Sequence, residues 1–401
     1  MKPLLRIFVT QSKESREILM NHIFTRNTIY RLLYIWAIAI AFMFFGKQLE
    51  GFYTEPFLGI GIFLLVLFTI IIAAFGVVKE ADELAHQLGE PYGTLILTLS
   101  IVSIEVILIA AMMFGPEENP TIGKDSIFSV MMIIMNLVMG LCILLGALKY
   151  GEQEYNAQGT STYLSMIMIL GGISLLLPNF IHGKGNGEFM DSQAVIIASL
   201  VVLLYGVFLA FQMKGYKHLY IQPEPGKLAI PFADRSRIGQ VAPEIKTANR
   251  GSEILVRSIV LIAMILPIVL LSHNLATLVD YGIKAADLPP MLGGVLIAII
   301  VFTPESMTAV RAALNNEFQR AINLCQGAFV STVGLTVPAV LIIGLIAGKT
   351  VLFGLTASET ILFIITLILS FLSFNGRRTT AIAGVMHLLL FAVFVMLLFI
   401  P

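Results

Sequence analysis

Residues 93–113, GTLILTLSIVSIEVILIAAMM, make an apolar run long enough to cross a bilayer, yet Glu105 stands near its middle. An ionised carboxylate at that depth costs at least about 2.5 kcal/mol. A chain that keeps one there is a membrane protein organised around it, and the acid reads first as a site for a cation or a proton. The pattern returns at 293–313, GGVLIAIIVFTPESMTAVRAA, which carries Glu305. Each glutamate lies 12 residues after a glycine, Gly93 or Gly293, and two after a hydroxyl residue, Ser103 or Thr303. Two copies of one buried acid, 200 positions apart, predict an internal repeat that builds a single site from two halves.

Composition agrees. The hydrophobic set makes up 57% of the 401 residues and charged residues only 12%, where soluble domains carry about 25%. Twenty-five basic residues balance 25 acidic ones, so no global positive field invites nucleic acid, and lipid, inorganic cations and protons are the expected partners. The two cysteines, Cys142 and Cys325, fall in apolar spans and read as small packing residues, with neither a disulfide framework nor a thiolate metal site expected. No resident cofactor is expected. About 28 polar and mixed residues precede the first span, a pattern unlike a cleaved leader.

Eleven apolar spans are expected, near 29–46, 57–78, 92–114, 126–148, 161–181, 191–213, 254–273, 290–311, 321–347, 350–373 and 379–400, giving an all-α polytopic fold. With the N-terminus in the cytoplasm, 20 of the 25 basic residues fall on cytoplasmic segments, leaving Lys47, Lys124, Lys184, Lys284 and Lys349 outside. This predicts a multi-pass protein of the plasma membrane with an external C-terminus. The proline-rich, basic connection after Lys214 divides the chain. Residues 1–56 form the N-terminal segment and first span, 57–213 one five-helix unit, 214–253 a cytoplasmic linker and 254–401 a second five-helix unit. An odd number of crossings per unit inverts the second copy relative to the first. Glu105 then lies 12 residues, about 18 Å, from the cytoplasmic end of its helix, and Glu305 as far from the external end of its own. In a core of about 30 Å both sit near mid-depth, where one ion can touch both.

The span after each acid carries a polar stripe at helical spacing. Asp125, Ser129, Asn136 and Gly140 share one face of the fourth, while Gln319, Asn323 and Gln326, with Gly327, Ser331 and Gly334 close by, share one of the ninth. Oxygen donors beside carboxylates suit hard cations such as calcium or sodium. Interhelical hydrogen bonding and close packing are the other reading of such stripes. Thr98 and Thr308 share faces with their glutamates. Ser103 and Thr303 lie some 200° around the helix and point away unless it breaks. Pro304 offers one such break, by freeing the Ile300 carbonyl.

Two carboxylates in a poor dielectric also couple transport. Unliganded and ionised, they carry two negative charges, which one divalent cation or two protons neutralise. Only neutral forms rearrange readily across the membrane, so exchange of calcium for protons follows.

The segments ELAHQLGEPYGTLILTLSIVSIE and TPESMTAVRAALNNEFQRAINLCQGAFVSTVGLTVP resemble the two alpha repeats of the calcium/cation antiporter superfamily, most closely the bacterial Cha-type calcium/proton antiporters. The likeness covers spans two to eleven. It implies that Glu105 and Glu305 carry the transported cation, calcium first and sodium or potassium as the alternative, in exchange for protons. A membrane-embedded enzyme is the remoter reading, since no HExxH pair, GxSxG elbow or Cys/His cluster occurs. No P-loop points to a primary pump, and a passive channel would show a pore motif on a smaller repeated subunit. His86, Glu117, Glu118, Asp280, Asp287 and the basic connection read as solvated or lipid-contacting features, and His387 as a hydrogen-bonded packing residue.

Overall fold

The computed structural model describes residues 24–88, 92–115, 119–182, 187–220, 250–376 and 378–400. Along them run α1 Arg26–Glu50, α2 Pro56–Leu88, α3 Tyr92–Met113, α4 Ile122–Tyr150, α5 Ala157–Asn179, α6 Asp191–Lys214, α7 Arg250–Ala285, α8 Leu292–Leu314, α9 Phe318–Ala347, α10 Ala357–Ser373 and α11 Ala381–Phe399. Ten of these are long and apolar enough to cross a membrane, and α10 is a shorter apolar helix of 17 residues. The all-α, eleven-helix polytopic fold expected from the sequence is the one observed. Glu117, Glu118, the side chain of His86 and most of the basic connection lie outside the described residues.

Local chemistry sets the helix ends. Thr25 and Asn156 cap α1 and α5 through their side-chain oxygens, and Thr356 and Glu359 form a reciprocal capping box on α10. Gly348, at φ +63°, closes α9 in the left-handed region that glycine enters without strain. Asn316, at φ +62°, turns the chain between α8 and α9, a conformation asparagine tolerates better than most residues. Three boundaries differ from expectation. Helix α2 continues to Leu88 and α7 to Ala285, because charged residues beyond the apolar stretch still continue a helix. The tenth span starts at Ala357 and not near 350, since Leu352 pairs with Glu188 and Phe353 donates its N–H to Gly187.

The described helices pack with the symmetry of two inverted units. The long first helices, α2 and α7, lie against each other, and each also packs against the second helix of both units. Helix α4 packs against α8 and α11, and its counterpart α9 packs against α3 and α6. Main-chain bridges repeat the relationship. On one face β1, Gln153–Glu154 after α4, pairs antiparallel with β2, Arg378–Thr379 before α11. Glu188 before α6 bridges to Leu352 after α9. Each bridge joins the segment after the third helix of one unit to the segment before the fifth of the other. Helix α1 stands outside this plan and is tied on by Trp36, whose indole N–H donates to the Ala263 carbonyl.

Ionic and aromatic contacts fix the ends of the α2–α7 pair. Arg257, 3% exposed, joins Glu80 at 3.1 Å and Glu253 at 3.2 Å, and Gln87 also donates to Glu253. At the opposite end Tyr53 donates to Asn274 at 3.2 Å and meets Tyr281 edge to face. Burial and the Glu50 carboxylate push the Tyr53 phenol up to about 12, which keeps it a donor.

Candidate functional site

Glu105 is fully buried on α3. Its Oε2 accepts hydrogen bonds from Thr336 at 2.9 Å and Thr332 at 3.2 Å, both on α9, in the other unit. Its Oε1 is buried and has no partner among the described residues. Glu305, on α8, is half-buried, and its buried Oε2 is likewise unpartnered. Glu105 is close enough for its charge to act on Glu305. The two acids, 200 positions apart in sequence, are thus electrostatic neighbours, each with an oxygen that no donor satisfies. A buried unpaired carboxylate oxygen is costly, and a proton or a cation at those oxygens removes the cost.

The threonines reach Glu105 because of the local helix geometry. Residues Thr332–Thr336 form a π turn inside α9, and Met132–Val138 form one inside α4. Thr332 and Thr336, four residues apart, share one face of α9, so both hydroxyls aim at one oxygen. Such interruptions recur at functional sites. Tyr205 fills the space against Gly334, where an added Cβ would lie 2.7 Å from its ring. Spacing the threonines four apart beside Ser331 and Gly334 was the available sequence signal, but a stripe drawn at ideal α periodicity passes them by.

The other candidates take different partners. Thr98 bonds to the Tyr205 phenol. Ser103 is exposed and donates to the Leu99 carbonyl, and Thr303 donates to the Ile299 carbonyl, both turned back along their own helices. Helix α8 runs unbroken through Pro304, whose carbonyl accepts from Thr308. Asp125 accepts from Thr121 at 2.7 Å and pairs with Lys124 at 3.2 Å; Lys124 also reaches Glu359 at 2.9 Å. Ser129 donates to the Asp125 carbonyl. Asn136 donates to Thr366 at 2.9 Å and its Oδ1 lies 3.0 Å from His387 Nδ1, while Ser373 lies 3.3 Å from Nε2. Gln319 accepts from the Asn156 N–H and donates to Asn323, which donates to the Tyr220 carbonyl. These stripes join helices within and across the units. Among the described residues no group of three or more His, Cys, Asp and Glu is placed to hold a metal ion.

Comparison with known proteins agrees with this architecture. A family profile described as "Sodium/calcium exchanger protein" matches residues 58–214 and 257–400, which correspond to the two five-helix stretches. The chain is 34% identical over 376 residues to the sodium-potassium/proton antiporter ChaA of Escherichia coli (strain K12), covering 94% of this chain and 97% of that protein. Among solved structures, native YfkE superposes with a TM-score of 0.68 at 17% identity, covering 92% of this chain and 100% of the other. The H+/Ca2+ exchanger CAX superposes at 0.65 and 14%, covering 93% and 89%. These two likenesses concern the fold. Two family segments separated by the basic connection, together with a relative 34% identical over nearly the whole chain, make this chain a member of the sodium/calcium exchanger protein family of cation antiporters.

Proposed function

We propose that the chain exchanges a cation for protons across the membrane, and that Glu105 and Glu305 carry both in turn. The observation that supports this reading best is the pair of carboxylates, one from each inverted unit, each with a buried oxygen that has no partner among the described residues. Ionised together they hold two negative charges in a medium that screens them poorly. A bound cation or two protons neutralise the pair, and the neutral forms cross between the two access states. Thr332 and Thr336 stabilise the ionised form of Glu105 by donating to it, and they release part of that bond to a cation.

Calcium is the ion the charge count favours, since one divalent cation matches two carboxylates and hydroxyl oxygens suit a hard ion. Exchange of sodium or potassium is the second reading, favoured by the name of the Escherichia coli relative, which matches this chain over nearly its whole length. The units at 57–213 and 254–401 then act as the two halves of the transport machine, with the N-terminus cytoplasmic and the C-terminus external. Asp125, Ser129, Gln319 and Asn323 support the helices that form the access routes.

Everted membrane vesicles with an imposed proton gradient and a pH-reporting dye provide the test. Added calcium collapses the gradient in the unmodified chain, and neither Glu105→Gln nor Glu305→Gln supports the collapse. Substituting sodium or potassium for calcium separates the two ion readings. Undiminished exchange in either glutamine variant overturns the assignment.

A further inference from the structure

Helices α4 and α8 leave a groove of about 460 Å³ between them, lined on α4 by Ile133, Leu137 and Leu141 and on α8 by Ile299, Met307 and Arg311. Its walls are apolar over most of their length. Thr303, which also lines it, donates its hydroxyl back to the Ile299 carbonyl, leaving Ser306 as the remaining hydroxyl on the wall. Ile299 and Met307 are each 44% exposed within a membrane-spanning helix, where the medium that meets exposed apolar side chains is acyl chain. The groove follows α8 from Ala298 to Arg311, about 20 Å at 1.5 Å per residue, enough to cross one leaflet of a core about 30 Å thick.

One end of the groove is positive. Arg311 is exposed and has no carboxylate partner among the described residues. Three residues further on, the Leu314 carbonyl accepts from the Lys149 ammonium and the Tyr150 hydroxyl, both at 2.7 Å. This contact brings a second exposed cation, from the end of α4, to the same end of the groove, and the ammonium keeps further N–H donors to spare. The acids that follow each helix are already taken: Glu317 pairs with Arg320 at 3.0 Å and Glu152 with Arg378 at 3.4 Å. A route for a transported cation would not be walled with isoleucine, leucine and methionine and end on two positive charges. An apolar trough with cations at its mouth complements a molecule that joins an acyl chain to an anionic head.

We propose that this groove binds an anionic phospholipid, with one acyl chain lying between α4 and α8 and the phosphate held by Arg311, through paired N–H groups, and by Lys149. The two cations stand at the end of α8 assigned to the cytoplasm, the face whose leaflet carries the anionic lipids. Ile133 and Leu137 belong to the π turn Met132–Val138, and α8 carries Glu305, so the lipid touches both the interrupted segment of α4 and the helix of the second acid. It holds these helices at one separation, and exchange through the acid pair depends on it. That dependence rests on the antiport reading above, while the binding does not.

The test uses the full-length chain in phosphatidylcholine nanodiscs that contain a small fraction of phosphatidylglycerol with a photoactivatable diazirine on its acyl chain. Illumination should label the peptides that carry Ile133, Leu137 and Leu141 and those that carry Ile299 and Met307, and unlabelled phosphatidylglycerol should displace the probe far better than added phosphatidylcholine. Arg311→Gln combined with Lys149→Gln should lower that labelling roughly tenfold, since each cation near a headgroup contributes severalfold. Ile299→Trp, which narrows the groove and keeps both charges, should lower it as well, whereas Arg320→Gln, whose side chain is paired with Glu317, should leave it unchanged. Equal displacement by phosphatidylcholine, or full labelling in the double variant, overturns the site; the displacement needs no variant and so decides even if one fails to fold. Inorganic phosphate that displaces the probe as well as the lipid does would show an anion site without the groove and also overturns it. In proteoliposomes, adding phosphatidylglycerol to phosphatidylcholine should raise exchange by the unmodified chain severalfold and leave the double variant unchanged; equal stimulation of both overturns the link to exchange. An unmodified chain that shows no exchange in any lipid counts against the antiport reading, and the labelling then still decides the site.

Discussion

Thr336 donates its hydroxyl at 2.9 Å to Glu105, 231 positions away in sequence and in the opposite unit. Through this contact the second unit holds the carboxylate of the first, so the candidate site draws on both units. Thr332 makes the same kind of contact at 3.2 Å.

Replacing Thr336 by valine keeps the shape and removes the donor. A hydrogen bond to a charged group contributes about 1.5–3 kcal/mol, so the apparent KM for the transported cation should change by about tenfold or more. Thr332→Val, at the longer distance, should change it less. Cation titrations in vesicles check the order, and equal effects or none would show that the bonds do not bear on binding.

Protons and cations compete for the same carboxylates in the proposed cycle. Lowering pH on the side where the cation binds should raise the apparent KM, and raising pH should lower it until binding no longer depends on pH. The measurement is cation KM against pH at fixed gradient. A KM indifferent to pH would separate the proton route from the acid pair.

The Arg257 cluster tests how the first helices of the two units are held together. Arg257→Met leaves Glu80 and Glu253 buried without their cation, which costs about 3–5 kcal/mol when a buried pair loses one partner. The unfolding temperature in detergent should fall clearly. Adding Glu80→Gln and Glu253→Gln should recover part of the loss, because the stranded charges are gone.

His387→Leu addresses the buried network on α4, α10 and α11. It leaves Asn136 Oδ1 without its ring partner and should lower stability by about 1–3 kcal/mol, the cost of an unsatisfied buried group. The pH profile of exchange should keep its shape, because no charged group faces the imidazole in this network. A shifted profile would make His387 part of the proton route.

Gly384 approaches α4 so closely that an added Cβ would lie 2.7 Å from the Gly140 carbonyl oxygen and the Leu144 nitrogen. Both are main-chain atoms that cannot swing aside. Gly384→Leu should therefore prevent a monodisperse protein in detergent, while Gly282→Ala, with open space around it, should not.

Much of this was legible in the sequence, and the part that was not has a physical cause. Glu105 and Glu305 announce themselves because a charge in an apolar run is costly wherever the helix lies, so burial alone identifies them. Eleven spans follow from hydropathy for the same reason. Partner choice is another matter. Thr98 shares a face with Glu105 yet bonds Tyr205, and Asn136 sits in a polar stripe yet bonds Thr366 and His387. Helical spacing gives the direction of a side chain from its own axis but not which helix stands opposite. Thr332 and Thr336 escaped for the same reason, since their partner Glu105 stands on another helix.

The bridge of Glu188 with Leu352 carries an evolutionary implication. A rim held by peptide groups makes few demands on the identity of the side chains above it, so relatives are free to drift at these positions without loosening the rim. Proline at position 353 is the exception, since it deletes the amide that donates to the Gly187 carbonyl.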